Sequence, residues 1–176
     1  MLPQIRRIIV FISVVFLLCI PAHSQLSTPR VAVESFYKFD RSRSQVFNRR
    51  NVDVRRKWLE HSLYSLLVTE LDREGEFLKA NPGEKPHYGD GLPFRPSEES
   101  CESGGKPFRR IVKVGQAVRI GETATVPVTF AYPAACRIED IVYKVKLIGV
   151  KTLWLMVDIE YPDGETLTAD LKRVAY

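Results

Sequence analysis

Apolar positions change their spacing twice along the chain, and each change predicts a different kind of element. In STPRVAVESFYKF, Thr28 is placed as an N-cap and Pro29 occupies the first helical position. Val33, Phe36 and Tyr37, flanked by Ala32 and Phe39, then recur at helical spacing, which predicts a short amphipathic helix. The polar continuation DRSRSQVFNRRN reads as a loop. A second start signal at Asn51 and Asp53 leads into a longer helix, with Leu59, Leu63, Leu66, Leu67 and Leu71, then Phe77 and Leu78, on one side. Gly75 marks a place for a kink or a break, because glycine costs about 1 kcal/mol in a helix interior.

Residues 81–107 are dense in Pro, Gly and Ser and show no period, so they form a long loop. A loop of that length inside a compact domain is usually functional or tied down, and Cys101 offers the tie.

Beyond the loop the period becomes two. Val112, Val114, Val118 and Ile120 alternate with polar or small residues, and Ala124, Val126, Val128, Phe130 and Tyr132 alternate again after GET. A three-residue turn at 121–123 sets Ile120 opposite Ala124 and Val118 opposite Val126, which puts the apolar sets on one face. Pro127 has no N–H for a ladder and therefore marks a free edge or a bulge. A turn at 149–151 likewise sets Leu147 opposite Leu153 and Tyr143 opposite Val157. The other face of that pair then holds Lys146 over the ring of Trp154 and Lys144 diagonal to Asp158, a charge ladder in preference to a catalytic site. PDG at 162–164 turns the chain into a last strand or short helix.

Helices first and antiparallel strands afterwards make an α+β domain, with N-terminal helices packed on one face of a curved antiparallel sheet. The stretch TLWLMVDIEY begins oily on both faces and becomes acidic on one face at Asp158 and Glu160. Leu153, Leu155 and Val157 are expected against the leucine-rich helix, and Trp154 and Met156 under another cover such as the loop stapled through Cys101.

The first residues change the setting. Arg6 and Arg7 precede an apolar run of 13 residues from Ile8 to Ile20, followed by PAHS, the anatomy of a secretory signal peptide at 1–24. The run falls short of the roughly 20 residues a spanning helix needs, which disfavours the alternative of an uncleaved anchor. The bulky Leu17 and Leu18 before Cys19 do not fit a lipidation site. A single mature domain of 152 residues, 25–176, is expected in the periplasm or outside the cell. There the remaining Cys101 and Cys136 read as a disulfide rather than as two free thiols.

Net charge falls from +5 to +3 when Arg6 and Arg7 depart, and the excess is concentrated in segment 30–57, with nine basic residues against Glu34, Asp40 and Asp53. Export argues against nucleic acid as a partner. Contact with an anionic membrane and a merely solvated helix face both remain open.

Candidate acid–base residues are His61, His87, Asp90, Asp140, Asp158 and Glu160. His87 lies in HYGDG, on a loop able to approach a pocket mouth. No HExxH pair, phosphate loop, GxSxG elbow or CxxC occurs, and neither a metal nor a cofactor is expected. Asp158 could serve as a base only if desolvated and free of Lys144.

Phe36 and Tyr37, the DGLPF stretch at 90–94 and the closing LWLMVDIEYPDGETLTADL together resemble a bacterial family of uncharacterised secreted proteins and lipoproteins. The resemblance spans about Arg30 to Leu171, and its most specific part is Trp154, Asp158, Ile159, Tyr161, Gly164 and Leu167. It implies a nuclear transport factor 2-like, cystatin-like cone and no particular activity. The function expected is that of a non-enzymatic envelope binding or accessory protein, engaging a protein partner or a small apolar ligand through the cone mouth and loop 81–107. Tyr37, Trp58, Tyr143, Trp154 and Asp158 are the possible pocket, although the aromatics fit a core equally. The alternative is a small isomerase- or hydrolase-type enzyme using Asp158.

Overall fold

In the computed structural model, residues 28–97, 101–103, 106–107 and 110–173 are described; the expected signal peptide at 1–24 lies outside them. The first helix, α1, runs Pro29–Asp40, and Thr28 caps it by accepting from the Val31 N–H at 3.2 Å. Its buried face is Ala32, Val33, Phe36, Tyr37 and, unexpectedly, Asp40. The polar stretch after it loops out and then closes into a short helix, α2 (Arg49–Asp53), capped by Asn48.

The long helix, α3, spans His61–Ala80 and starts later than Asn51 and Asp53 signal. Leu59 is extended instead of helical, and it pairs with Met156 while the Glu60 N–H donates to the Met156 carbonyl at 2.8 Å. That tertiary pairing outweighs local helix propensity, and Glu60 becomes the N-cap. The helix runs through Gly75 without a break. Leu63 and Leu67 are buried as expected, but the same stripe continues into Glu70 and Glu74, while Leu78 is exposed.

A two-stranded ribbon, β1 (Glu102–Ser103) with β2 (Lys106–Pro107), lies apart from the main sheet. That sheet is antiparallel and open. It orders β3 (Ile111–Val114), β5 (Thr123–Ala131), β6 (Ile141–Val150) and β7 (Leu153–Glu160), with β4 (Val118–Ile120) alongside β5. Ala124, Val126, Val128 and Phe130 of β5 and Tyr143, Val145 and Leu147 of β6 are buried under the helices, as alternation predicts. The chain is thus α+β, and a last helix, α4 (Leu167–Lys172), follows the PDG turn.

Both hairpins differ from the expected register. Gly121, at φ +60°, supports a two-residue turn, so Ile120 faces Thr123 and Arg119 faces Ala124. The one-residue shift turns Val118 and Ile120 outward, at 65% and 76% exposure. In the second hairpin Val150 faces Leu153 across a two-residue turn, so Gly149 meets Trp154 and Leu147 meets Met156. A bulge beside Lys146 and Leu147 then resets the phase, and Val145 faces Ile159.

The bulge explains why β7 is oily on both faces. Met156 is inward before it and Ile159 after it, so opposite parities of the strand serve one core in succession. Leu153, expected against α3, is instead 56% exposed. Leu155 lies with Val54 and Leu59 in a shallow outer groove, and Trp154 is partly buried against the core.

The disulfide between Cys101 and Cys136 forms, with Cα atoms 5.7 Å apart, and ties the long loop to the end of β5. The loop is anchored a second time by Leu92 and Phe94, both buried. Tyr37 Oη donates to the Phe94 carbonyl at 3.1 Å and Tyr161 Oη to that of Pro93 at 3.2 Å. Gly91 permits this path: its φ is +131°, and a Cβ there would lie 2.8 Å from the Gln45 carbonyl oxygen.

Candidate functional site

Three segments remote in sequence surround a cleft of about 840 Å³. One wall is the solvent side of α1 and the turn after it, bearing Arg30, Lys38, Arg41 and Arg43. The opposite wall is Arg110 and β3, and the end is closed by Arg95 and Pro96 of the long loop. Phe130 and Tyr37 lie at the base. With Lys113, seven basic residues line the cleft against one carboxylate, that of Glu34, which Arg30 holds at 2.8 Å.

Several of these cations are fixed before any ligand arrives. Arg95 Nε lies 3.2 Å from Asp40 Oδ2. Asp40 Oδ1 in turn accepts from Arg55 Nε at 2.7 Å, in a pair whose two side chains are wholly buried. The Arg110 guanidinium stacks 4.7 Å from the centre of the Tyr132 ring and donates to the Ser97 carbonyl. Arg43 lies over the Phe39 ring at 4.9 Å. Lys38 and Arg41 are exposed, and their side chains make no ion pair among the described residues. The Tyr37 phenol is held neutral, its pKa raised by burial and then by the neighbouring Asp40 charge, so it acts as a donor and not as a base. Taken together the cleft is a preorganised cationic surface over an aromatic floor, suited to an anion rather than to a proton transfer.

Of the five residues proposed from sequence as a pocket, Tyr37 alone reaches this cleft. Tyr143 is buried in edge-to-face ring contacts, 5.0 Å from both Phe130 and Tyr161. Trp58 and Trp154 line a separate groove of about 400 Å³ with Val31, Leu153 and Leu155. It is Arg119, not Lys146, that covers the Trp154 ring, at 5.1 Å.

Asp158 sits under the first turn of α4. It accepts from the Thr168 N–H and from Thr168 Oγ1, each at 2.9 Å, and from the Ile159 N–H at 2.9 Å. Its oxygens are therefore committed to capping a helix, which accounts for an acidic residue at this point of an apolar strand. The charge ladder exists, but with Glu160 as its acid: Lys144 Nζ lies at 2.6 Å and Lys146 Nζ at 3.0 Å from the Glu160 carboxylate. Those two lysines hold the Glu160 pKa below the usual carboxylate value.

His87 does not reach the cleft. Its ring lies between two carboxylates, Nδ1 3.1 Å from Glu70 and Nε2 3.4 Å from Asp170. Tyr88 adds a phenol donated to Asp170 and a backbone N–H donated to Glu74. Arg73 pairs with Glu70 and donates to the carbonyls of Leu171 and Arg173. Together they form a polar clasp joining α3, the start of the long loop and α4. Burial raises the Glu74 pKa, with the Glu70 charge adding to it. His61 is exposed at the start of α3, and Asp90 pairs with Lys85 at the surface. Asp140 is exposed before β6. No cluster of three or more His, Cys, Asp or Glu side chains is arranged to hold a metal ion among the described residues.

The basic segment 30–57 is accordingly divided. Its first half lines the cleft, whereas Arg55 is buried, Arg49 pairs with Asp53 at 3.0 Å, and Arg56 and Lys57 lie over the rings of Tyr64 and Trp58.

Comparisons with protein-family models, with curated proteins and with solved structures return no match for this chain.

Proposed function

We propose that this chain is a binding protein of the cell envelope, without chemistry of its own, which captures an anionic ligand in the cleft between α1 and β3. The observation that carries the reading is the excess of seven basic residues over one carboxylate around a volume of about 840 Å³. Such a volume is in the range of ligand pockets, roughly 300–1,000 Å³. Its rim chemistry favours an anion over the small apolar ligand that the aromatic content suggests. The long loop takes part through Arg95 and Pro96. An exported location is supported by the disulfide, and no helix among the described residues is long and apolar enough to cross a membrane.

The finer assignment of the fold, a nuclear transport factor 2-like cone, belongs to the same proposal. Helices preceding an open antiparallel sheet, with a cleft between α1 and the sheet, support it.

The test is a titration of the folded protein with inorganic pyrophosphate, followed by amide chemical shifts at low ionic strength. Shifts are expected at Lys38, Arg41, Ser42 and Arg95, and they weaken as salt is added. The double variant Lys38→Glu/Arg41→Glu should abolish them while leaving the thermal midpoint within a few degrees, because both side chains are exposed. Shifts confined to residues outside the cleft, or unchanged in the double variant, would remove the proposal.

A further inference from the structure

We infer that the ligand is an extended acidic peptide of a partner protein, which adds to the sheet as a strand along the free edge of β3. This inference rests on the anion-binding reading of the cleft and specifies what the anion is.

The sheet ends at β3, and no other strand pairs with its outer edge among the described residues. Hydrogen-bond phase shows which backbone groups that edge presents. Gly115 donates its N–H to the Pro127 carbonyl at 2.8 Å, continuing the register in which Val114 faces Val128. Residues 115 and 127 are therefore a hydrogen-bonded pair, and in an antiparallel ladder such pairs recur at every second residue. Lys113 and Ile111 then spend their backbone groups on β5, opposite Thr129 and Ala131. Val112 and Val114 turn theirs away from β5, toward the cleft they line. Pro127 ends the ladder at this point because it has no N–H to return, which explains why β3 and β4 are separate strands.

The cleft thus has one wall of open strand edge and a facing wall of cations on α1. Up to four main-chain hydrogen bonds are on offer from Val112 and Val114. An added strand lies about 4.8 Å from β3 and sends alternate side chains to opposite faces. One set then faces α1, where Lys38 and Arg41 are exposed and await carboxylates. A compact anion such as a phosphate would satisfy the cations and leave the strand edge unused. An extended chain with alternating acids uses both walls, so the observations favour it.

The probe is the peptide acetyl-(Glu-Thr)₄-amide, offered to the folded, disulfide-bonded protein beside inorganic pyrophosphate, long-chain polyphosphate, anionic lipid vesicles and the same peptide with every amide N-methylated. Binding of the plain peptide should slow hydrogen exchange at the Val112 and Val114 amides and leave Lys113 unchanged. N-methylation keeps every carboxylate but removes the donors, and it should weaken binding by about ten-fold or more. Equal binding of the plain and N-methylated peptides, or stronger binding of polyphosphate or vesicles with no protection at Val112 and Val114, would overturn the strand-addition inference and leave the anion cleft standing. If neither pyrophosphate nor any peptide perturbs the cleft, and Lys38→Glu/Arg41→Glu changes nothing, both fall together.

Discussion

Replacing Arg55 by methionine tests the least expected feature of the interior. Arg55 and Asp40 are each fully buried, with Nε 2.7 Å from Oδ1. The guanidinium also donates through Nη1 to the Asn51 carbonyl at 2.6 Å and through Nη2 to that of Ser44 at 3.2 Å. One side chain thus closes the path from α1 through the polar loop to α2. Arg55→Met removes all three donors at once and leaves a buried carboxylate facing, among the described residues, Arg95 and Gln45. Breaking a buried ion pair by removing one partner costs about 3–5 kcal/mol. For a domain whose whole stability is about 5–15 kcal/mol, that is a fifth or more. At about 2–4 °C per kcal/mol for this chain length, the thermal midpoint should fall by about 6–20 °C. Urea unfolding followed by far-ultraviolet circular dichroism gives the free energy directly, provided the slope m is unchanged. Removing both charges in Arg55→Met/Asp40→Leu should cost less than the sum of the two single changes by about 2 kcal/mol or more. Arg55→Lys should recover little, since an ammonium lacks the planar fork that reaches three acceptors. A loss below about 1 kcal/mol for Arg55→Met, or simple additivity in the double variant, would refute the account of the pair.

Other outcomes follow from features away from it. Cys101→Ser/Cys136→Ser opens a loop of 35 residues and should cost about 4 kcal/mol by the chain-entropy relation, read from the urea midpoint. Glu74→Gln keeps an acceptor for the Tyr88 N–H and removes a carboxyl whose pKa burial has raised above the ordinary 4.5. A raised carboxyl favours the folded state below the unfolded value and loses that contribution as pH rises through the folded one. The variant should therefore melt higher than the wild type at pH 7, with the gap closing as pH falls toward 4.5, and a gap independent of pH counts against the assignment. Asp158→Ala removes a cap from α4 and should cost about 0.5–2 kcal/mol, with faster amide exchange at Thr168 as its local sign.

What could be read in the sequence and what could not divide along physical lines. Thr28, Pro29 and the Phe36–Tyr37 spacing specified α1 because capping and amphipathic period are local properties. The inward set Ala124, Val126, Val128 and Phe130 was legible for the same reason, and the pairing of Cys101 with Cys136 because these are the two cysteines left beyond the expected signal segment. The hairpin registers were not legible: a turn of two residues and a turn of three differ by one position, and that one position exchanges the faces of a strand. The bulge in β7 left its trace only as a strand apolar on both sides, which regular alternation assigns to two coverings rather than to a change of phase. The start of α3 was moved by the contact of Glu60 with Met156, and nothing near Glu60 in the chain records Met156. The cleft was half visible. The basic excess of segment 30–57 stood out, but its meeting with Arg95, Arg110 and the edge of β3 depends on the tertiary fold. Asp40 and Arg55 gave no signal, because polarity alone marks a residue for the surface.

The dislocation in β7 makes the length of that strand as significant as its composition. Excising Val157 would restore a regular ladder in which Met156 and Ile159 both still face the interior, opposite Leu147 and Val145, whereas excising Ile159 would carry Glu160 inward opposite Val145. The chain should on this account tolerate loss of Val157 better than loss of Ile159, a contrast that a scan of single-residue deletions from 153 to 161 would expose.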